Sequence, residues 1–279
     1  MERRPDEAAR EGLEDAPAMP DVDLTVPSIA RVYDYVLGGK EHFEIDRRVS
    51  AALFQAVPES RQLAADNRGL LGRAVGYLVG EAGIRQILDL GSGLPTEGNV
   101  HEIAHRIDPS VRVLYVDIDP LVLAHGRALL SNEDTTEVIT ADIRDVDGLF
   151  DNAAVRKLID PTQPFAVIAS GIFHHFSDDQ DPYALADAVK ARLSPGSLFF
   201  ISNFLDDDEP RARDMQRAFL EGGLGTGRFR TWDEQRRFFD GLEMVEPGLV
   251  YANDWRPDER TPAESPTHTL YAGGIGRKP

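Results

Sequence analysis

The chain has 279 residues and no cysteine, and its 30 Lys and Arg against 48 Asp and Glu give a formal net charge of −18. The lack of cysteine excludes disulfides, thiolate metal ligands and a cysteine nucleophile, and the acidic surface disfavours DNA or RNA as a partner because it repels phosphate backbones. A hydrophobic content of 42% without a run long enough to cross a membrane predicts a globular chain with a sizeable core and no membrane partner.

The N-terminal residues form the least regular part of the sequence. Residues 1–22 are charged, contain several alanines and prolines, and show no hydrophobic period. This composition predicts a disordered tail. Since the start contains no apolar signal region, we expect a cytoplasmic protein.

Three helices are predicted before the first strand. The first ends at the diglycine Gly38-Gly39, because glycine readily adopts the left-handed conformation that terminates a helix. Apolar residues at helical spacing predict the second over 45–57 and the third from Ser60 to about residue 79. We interpret residues 23–82 as a helical cap or lid before a core at 83–279, with 23–279 as one functional domain.

The most informative motif follows the cap. A predicted strand at 86–90 contains Asp89 and opens into the turn Gly91-Ser92-Gly93. Glycine lets the backbone approach a ligand closely, and in an open α/β sheet this turn lies at the ligand-binding edge. An acid beside the turn favours a cationic ligand over a pyrophosphate. The motif therefore predicts S-adenosylmethionine, which carries a sulfonium and an ammonium group.

Other interpretations of this turn remain open. An ordinary βα turn with incidental glycines is one. An NAD-dependent oxidoreductase is another, disfavoured because Thr96 stands where a dinucleotide fingerprint has its third glycine. Asn99 is predicted to cap the following helix, whereas Glu97 is a candidate contact for the cofactor ammonium.

The next two predicted strands also end in acids. Asp117 closes the strand at 111–116, a position from which a carboxylate accepts hydrogen bonds from ribose hydroxyls. Asp142 follows the strand at 137–140 and is placed to reach the exocyclic amine of an adenine. Asp119 is assigned instead to the N-cap of the next helix. Three successive strands thus place a carboxylate at one predicted edge.

These motifs resemble those of class I S-adenosylmethionine-dependent methyltransferases. More narrowly, the sequence resembles an actinobacterial S-adenosyl methyltransferase family, formerly described as a domain of unknown function. The resemblance implies a Rossmann-like α/β fold with a seven-stranded, mostly parallel sheet, an antiparallel edge hairpin and a helical N-terminal cap. The segments that carry it most specifically are Pro27–Lys40, Gly93–His101, Phe238–Val250, Trp255–Asp258 and Gly276–Lys278.

The alternation of strands and helices continues to the fifth strand, which is typical of a parallel sheet covered by helices on both faces. A helix near 209–220 and the glycine-rich segment Gly222–Gly227 then interrupt it. The last two strands are predicted to form the edge hairpin. The strands after the third are predicted near 165–170, 197–204, 242–251 and 267–273.

Paired histidines follow the fourth strand. The imidazoles of His174 and His175 are candidate general bases because their unperturbed pKa of about 6.5 suits proton removal at neutral pH. On extended backbone neighbouring side chains point to opposite faces, so at most one would face the cleft, and the resemblance favours His175. A structural role, by stacking on adenine or capping a helix, is the alternative, and no metal-ligand spacing is recognised. Asn203, Trp255 and Arg256 are further cleft candidates.

The N-terminal block around the diglycine is interpreted as a lid over the cofactor. Lys40 and Arg31 are candidates to meet the cofactor carboxylate, and Tyr33 to stack near adenine or line the acceptor pocket. The alternative is a cap helix in which Arg31 and Tyr33 only pack and pair.

Together these arguments predict a methyltransferase that moves a methyl group in line to a small-molecule acceptor and releases S-adenosylhomocysteine. A cofactor-binding regulatory or partner module without turnover is the alternative. The predicted catalytic residues are His175, His174 and Tyr33, and no metal is predicted. The predicted cofactor-binding residues are Asp89, Gly91, Ser92, Gly93, Asp117, Ile118, Asp142, Ile143, Ser170, Arg31, Tyr33, Gly38 and Lys40.

Overall fold

A mixed sheet of eight strands lies at the centre of the computed structural model, which describes residues 22–96, 98–130 and 134–279. The strand order is β3-β2-β1-β4-β5-β8-β6, with β7 also paired to β8. β1 to β5 are parallel and β8 is antiparallel, which confirms the predicted Rossmann-like fold class. The strands are β1 Gln86–Leu90, β2 Arg112–Asp117, β3 Thr136–Thr140, β4 Ala166–Ser170, β5 Leu198–Phe204, β6 Glu243–Met244, β7 Val250–Tyr251 and β8 Tyr271–Arg277.

Helices cover both faces of this sheet because its strands are apolar on both sides. In β1, Ile87 joins a hydrophobic cluster with helices α1 to α5 and α9, whereas Leu88 joins a second cluster with α6 to α8. The helices are α1 Ile29–Leu37, α2 Glu44–Ala56, α3 Ser60–Gly80, α4 Val100–Ile107, α5 Pro120–Leu129, α6 Val146–Asp151, α7 Ala153–Leu158, α8 Pro182–Ala191, α9 Pro210–Glu221 and α10 Trp232–Arg237. None of these helices is long and apolar enough to cross a lipid bilayer.

The three N-terminal helices form where the sequence predicts them. α1 ends at Gly38, whose φ of 89° is left-handed, and the N–H of Gly39 closes the turn on the carbonyl of Asp34 (2.8 Å). The apolar stripe of α3 is fully buried against the sheet, with Leu70 and Leu78 at 0% exposure. Because α1 to α3 share one hydrophobic cluster with the strands, the predicted boundary near residue 82 does not separate two cores. The predicted tail, apart from its last residue, lies outside the described ranges.

The far edge of the sheet differs from the prediction. The strand expected over 242–251 is divided into β6 and β7, each of two residues, and both pair with β8. Pro247 and Gly248 lie between them. Proline has no N–H to donate to a ladder, so a continuous strand cannot run through this point. β8 begins at Tyr271, four residues later than predicted.

Candidate active site

The acids predicted at three strand ends lie along one rim of the sheet. The first two residues of the glycine turn donate their N–H groups to the carbonyl of Val116, at 2.7 and 3.1 Å, which ties the turn after β1 to β2. The residue before Asp142 donates its N–H to the carbonyl of Asp117 at 3.0 Å, which ties the end of β3 to the same strand. The ends of β1, β2 and β3, with Asp89, Asp117 and Asp142, therefore form a continuous rim.

Asp117 anchors the glycine turn through its side chain. Its carboxylate accepts the N–H of Gly93 at 2.8 Å and the N–H of Asp119 at 2.9 Å. Burial raises the pKa of Asp117 above its ordinary value. A carboxylate has about four lone-pair sites, so Asp117 retains acceptor capacity for a further donor such as a ribose hydroxyl.

Asp89 is the most electrostatically unusual group on the rim. It is only 5% exposed, and burial raises its pKa to about 7, an effect that the nearby Arg68 opposes and Asp117 reinforces. A carboxylate removed from water favours a positive partner, because its charged form is poorly solvated. The site therefore suits a cation placed against Asp89.

Two further groups beside Asp89 complete this part of the rim. Arg68, from α3, donates to the carbonyl of Gly98 at 2.7 Å and so reaches the segment after the glycine turn. The hydroxyl of Ser92 is buried and has no hydrogen-bond partner among the described residues. Buried polar groups are normally paired, so this hydroxyl indicates a position for a ligand atom. Arg68 was not predicted as a site residue, because it lies on α3 and is far along the chain from the glycine turn.

The two glycines of the turn are required for different reasons. Both have left-handed φ values, 66° at Gly91 and 69° at Gly93. A Cβ on Gly91 would lie 2.1 Å from Cδ1 of Ile172, whereas a Cβ on Gly93 would meet no atom of the described residues within 4 Å. Gly91 therefore permits the approach of the loop after β4, and Gly93 borders open space at the rim.

The third acid is held differently from the first two. Nε of Arg144 lies 2.9 Å from each carboxylate oxygen of Asp142, and this hydrogen bonding lowers the pKa of Asp142. Arg144 was not predicted as a partner of Asp142. Ile118, directly after Asp117, is 60% exposed, and Ile143 packs half-buried on the second cluster. An exposed isoleucine at this edge suits the flat face of a base.

Arg31 is placed where it cannot serve the predicted contact in this conformation. Its guanidinium is buried and donates to Asp46 at 2.9 Å and to the carbonyl of Val26 at 2.6 Å. A buried charge must be paired, so Arg31 braces α1 against α2 rather than offering a charge to a ligand carboxylate. Lys40 is exposed and forms no ion pair with the described residues, and Gly38 ends α1, where its N–H donates to the carbonyl of Tyr35 at 3.0 Å.

Tyr33 belongs to a polar network that crosses four elements. Its hydroxyl accepts from Asn67 of α3 at 3.2 Å and donates to the carbonyl of Ala64 at 3.3 Å. The amide oxygen of Asn67 accepts from Ser170 at 3.3 Å and from Ser202 at 3.0 Å, at the ends of β4 and β5. The structure thus brings together Tyr33 and Ser170, which the sequence predicted separately. A polar residue within the apolar stripe of α3 was the signal for Asn67.

Neutral polar groups pack closely around Gly171, directly after β4. A methyl group placed on Gly171 would lie 2.8 Å from the hydroxyl of Tyr271, 3.6 Å from Cε1 of His174 and 3.9 Å from Nδ2 of Asn67. Burial raises the pKa of both Tyr33 and Tyr271, so both phenols are un-ionised at neutral pH. We refer to Tyr33, Asn67, Gly171, His174 and Tyr271 as the Gly171 cluster; the ring of His175 lies beside it, 4.3 Å from the ring of His174.

The two histidines lie side by side rather than on opposite faces. Phe173–His175 forms a single 3₁₀ turn, so the alternation expected of extended backbone does not apply, and the two rings are 4.3 Å apart. His174 is buried and its Nδ1 has no partner among the described residues. Burial lowers the pKa of His174 well below its usual range and that of His175 to about 4. Both imidazoles are therefore neutral at pH 7 and less basic than expected.

Three other predicted contributors have structural roles. Asn203 accepts the backbone N–H of His174 at 3.2 Å and thereby supports the histidine turn. Trp255 is fully buried and packs edge-on against Tyr77. Arg256 pairs with Glu81 at 2.7 Å. Glu81 lies before the start of β1, so Trp255 and Arg256 lie near the amino ends of the parallel strands, away from the rim.

The segment that follows the glycine turn begins α4. Asn99 occupies the N-cap, as predicted, and its N–H donates to Glu102 at 3.0 Å. Glu97 lies outside the described residues. Within the described ranges, no group of three or more His, Asp or Glu side chains is arranged to hold a metal ion.

Comparisons with known proteins agree with this geometry. The model of the S-adenosyl methyltransferase family matches residues 15–279. A candidate methyltransferase from Thermobifida fusca is 44% identical, with a TM-score of 0.89 over 93% of this chain and 97% of that one. A DUF574 family protein from Streptomyces avermitilis is 34% identical, with a TM-score of 0.87 over 92% and 99%. The mitomycin 7-O-methyltransferase, 14% identical with a TM-score of 0.53 over 91% and 74%, shares the fold. No curated protein matches significantly.

Proposed function

The chain belongs to the S-adenosyl methyltransferase family and uses S-adenosylmethionine, and from this premise we propose that it methylates a small-molecule acceptor by direct in-line transfer. The observation that carries the proposal is the buried carboxylate of Asp89, beside a glycine turn where, among the described residues, the hydroxyl of Ser92 has no hydrogen-bond partner and Gly93 borders open space. When bound, the cofactor supplies an electrophilic methyl group on a positively charged sulfur.

The rim residues fit the parts of this cofactor one by one. Asp89 would hold the ammonium group, Asp117 the ribose hydroxyls, and the exposed Ile118 the face of the adenine. Asp142 would accept a hydrogen bond from the exocyclic amine, and Arg144 would either keep its ion pair with that carboxylate or release it. The hydroxyl of Ser92 would gain the partner that it lacks.

Arg68 is proposed for the cofactor carboxylate, a role that the sequence argument gave to Arg31 and Lys40. The methionine moiety presents an ammonium and a carboxylate on one carbon, so its binding site needs an acid and a base close together. Arg68 lies near enough to Asp89 to oppose the rise in its pKa, whereas Arg31 is committed to Asp46. Lys40 is exposed and stays a candidate for closure over the site.

The acceptor is proposed to bind beside the Gly171 cluster and the ring of His175. The cluster contributes hydroxyl, amide and imidazole groups, a neutral polar surface that suits an uncharged polar molecule. The net charge of −18 argues against a nucleic acid. Because burial lowers the pKa of His175 to about 4, an acceptor that loses its proton readily, such as a phenol or a ring nitrogen, fits better than an aliphatic alcohol. The protein's part is to position the acceptor and exclude water.

The proposal predicts saturable binding followed by transfer. Calorimetric titration of the full chain should show one site for S-adenosylmethionine and one for S-adenosylhomocysteine. Incubation with cofactor labelled in the methyl group should then label at least one member of a panel of phenols, N-heterocycles, thiols and carboxylic acids. Binding without any transfer across the panel would favour the regulatory module, and folded protein that gives no binding heat would refute the proposal.

The affinity for S-adenosylmethionine should depend on pH through Asp89. The ionised carboxylate binds the ammonium, and its pKa in the free protein is about 7. Affinity should therefore fall as pH falls, by about tenfold between pH 8 and pH 6. Calorimetry in buffers of different ionisation enthalpy should show proton release at pH 7. Methylthioadenosine, which lacks the ammonium, is the matched ligand and should bind with little pH dependence; equal slopes for both ligands would remove Asp89 from the ammonium site.

A further inference from the structure

The glycine-rich segment Gly222–Gly227 lies against the histidine turn, through the contact of Thr226 with His175. It leaves α9 and fits between that helix and α2, where a Cβ on Gly222 would lie 3.1 Å from Cβ of Ala52. At its other end Gly227 has a φ of 139° and a would-be Cβ 2.9 Å from Cβ of Phe219. Side chains at these two positions would push the segment outward. The glycines therefore allow Thr226 to approach the histidines.

The backbone of the histidine turn is immobilised by the residues that follow this segment. The N–H of Arg228 donates to the carbonyl of His174 at 2.7 Å. The buried guanidinium of Arg230 donates to the carbonyls of Phe173 and Phe176, both at 3.0 Å, and to Asp178 at 3.0 Å. A turn held by four such bonds presents its side chains in one orientation, so only the ring of His175 needs to be fixed separately.

Within the described ranges, the ring of His175 has one hydrogen-bond partner. Its Nδ1 lies 3.1 Å from Oγ1 of Thr226, and the ring packs edge-on against Phe219 at 6.0 Å. Nε2 makes no hydrogen bond to any described residue and is not among the buried unpaired atoms. The hydroxyl of Thr226 can accept from Nδ1–H or donate to an unprotonated Nδ1. Hydrogen on Nδ1 is the arrangement in which the single N–H of the neutral ring has a partner among the described residues, and it leaves Nε2 with its lone pair.

We infer that Thr226 is a positioning residue for methyl transfer: it accepts a hydrogen bond from Nδ1–H of His175 and so fixes the tautomer in which Nε2 receives the acceptor's proton. The inference rests on the proposed function, since it assigns a role within that reaction. The methyl group leaves sulfur for the acceptor atom, and the electrons of the broken S–C bond remain on sulfur as a neutral thioether. The acceptor's proton passes to Nε2, and the imidazolium then returns it to solvent.

The experiment reads the tautomer directly. Long-range ¹H–¹⁵N correlation spectra of the uniformly labelled full chain distinguish protonated from unprotonated imidazole nitrogens, and His175→Gln identifies the His175 signals among the seven histidines. The wild type should show a protonated Nδ1 and an unprotonated Nε2. Thr226→Val, which keeps the shape but removes the hydroxyl, should give averaged signals from both tautomers, and Thr226→Ser should restore the wild-type pattern.

A kinetic experiment uses any acceptor that receives the labelled methyl group from S-adenosylmethionine. Thr226→Val should lower kcat by about tenfold, a part of the 10²–10⁴-fold that a positioned base contributes, with the KM for S-adenosylmethionine unchanged and Thr226→Ser near wild type. An identical tautomer in Thr226→Val and wild type, with cofactor binding intact, would overturn this inference alone. Absence of cofactor binding in the wild type would instead overturn the proposed function.

Discussion

Replacing Asp89 with asparagine is expected to weaken S-adenosylmethionine binding by at least 30-fold and, at pH 8, to stabilise the unliganded protein. The binding loss follows because removing one partner of a buried charge pair costs about 2–5 kcal/mol. The stability gain follows because Asp89, 5% exposed, is ionised at pH 8 in a site that disfavours its charge. Raising its pKa from 3.8 to about 7 corresponds to a penalty of up to about 4 kcal/mol at high pH.

The sign of the pH dependence makes this prediction specific. A carboxyl group whose pKa is raised on folding contributes stability that is fully present below its unfolded pKa and is lost as pH rises through its folded pKa. For Asp89 this window runs from about pH 4 to about pH 7. The stability difference between Asp89→Asn and wild type should therefore be large at pH 8 and vanish near pH 4, as measured by thermal unfolding without cofactor.

A surface acid supplies the matched control. Asp160 is exposed and accepts hydrogen bonds from Thr162 in the loop before β4. Asp160→Asn removes a carboxylate with the same chemical change, and it should leave cofactor affinity at the wild-type value. If Asp89→Asn bound S-adenosylmethionine within a few-fold of wild type, Asp89 would not be the ammonium ligand.

Alanine substitution at the two glycines of the turn should have different effects, mainly loss of cofactor binding at Gly93 and mainly loss of stability at Gly91. Gly93→Ala should fold with a loss of about 1–2 kcal/mol, the penalty for a left-handed φ in a residue with a Cβ, because no atom of the described part of the chain lies within 4 Å of the new methyl group. It should nevertheless lose S-adenosylmethionine binding, since the methyl occupies the space proposed for the cofactor. Calorimetry under conditions in which both Gly93→Ala and the wild type are folded distinguishes this loss of binding from unfolding.

Gly91→Ala should instead act on stability. Its Cβ would lie 2.1 Å from Cδ1 of Ile172, and overpacking of this kind costs about 1–3 kcal/mol in addition to the penalty for φ. The double variant Gly91→Ala with Ile172→Ala removes the clashing atoms and should recover part of the loss in chemical unfolding. No recovery would mean that packing against Ile172 is not why glycine is required.

Some features of the site follow from local sequence and topology alone. In parallel strands the carboxyl ends meet at one edge, so placing Asp89, Asp117 and Asp142 at strand ends was enough to predict a common rim. The N-cap at Asn99 and the end of α1 at Gly38 are equally local, because capping depends on a few neighbouring residues. Pro247 itself indicated an interruption of the strand predicted over 242–251, and the prediction of a continuous strand did not take it into account.

Other features depend on contacts between distant parts of the chain. Arg31 carries a charge that pattern alone could assign to a ligand, and only its pairing with Asp46 shows that it braces two helices. Asn67 joins elements more than 100 residues apart, since it bonds to Ser170 and Ser202. The contact of Thr226 with His175 spans 51 positions. No periodicity or spacing rule reaches over such distances.

Local sequence was enough to predict the class of fold, the cofactor and a row of acids at one edge of the sheet, because the alternation of strands and helices and the glycine turn are local patterns. How these groups ionise depends on tertiary structure, because a pKa depends on burial, and burial depends on which distant segments pack together. Asp89 becomes a carboxyl group with a pKa of about 7 and His175 an imidazole with a pKa of about 4 only when α3 and the segment after α9 close around them.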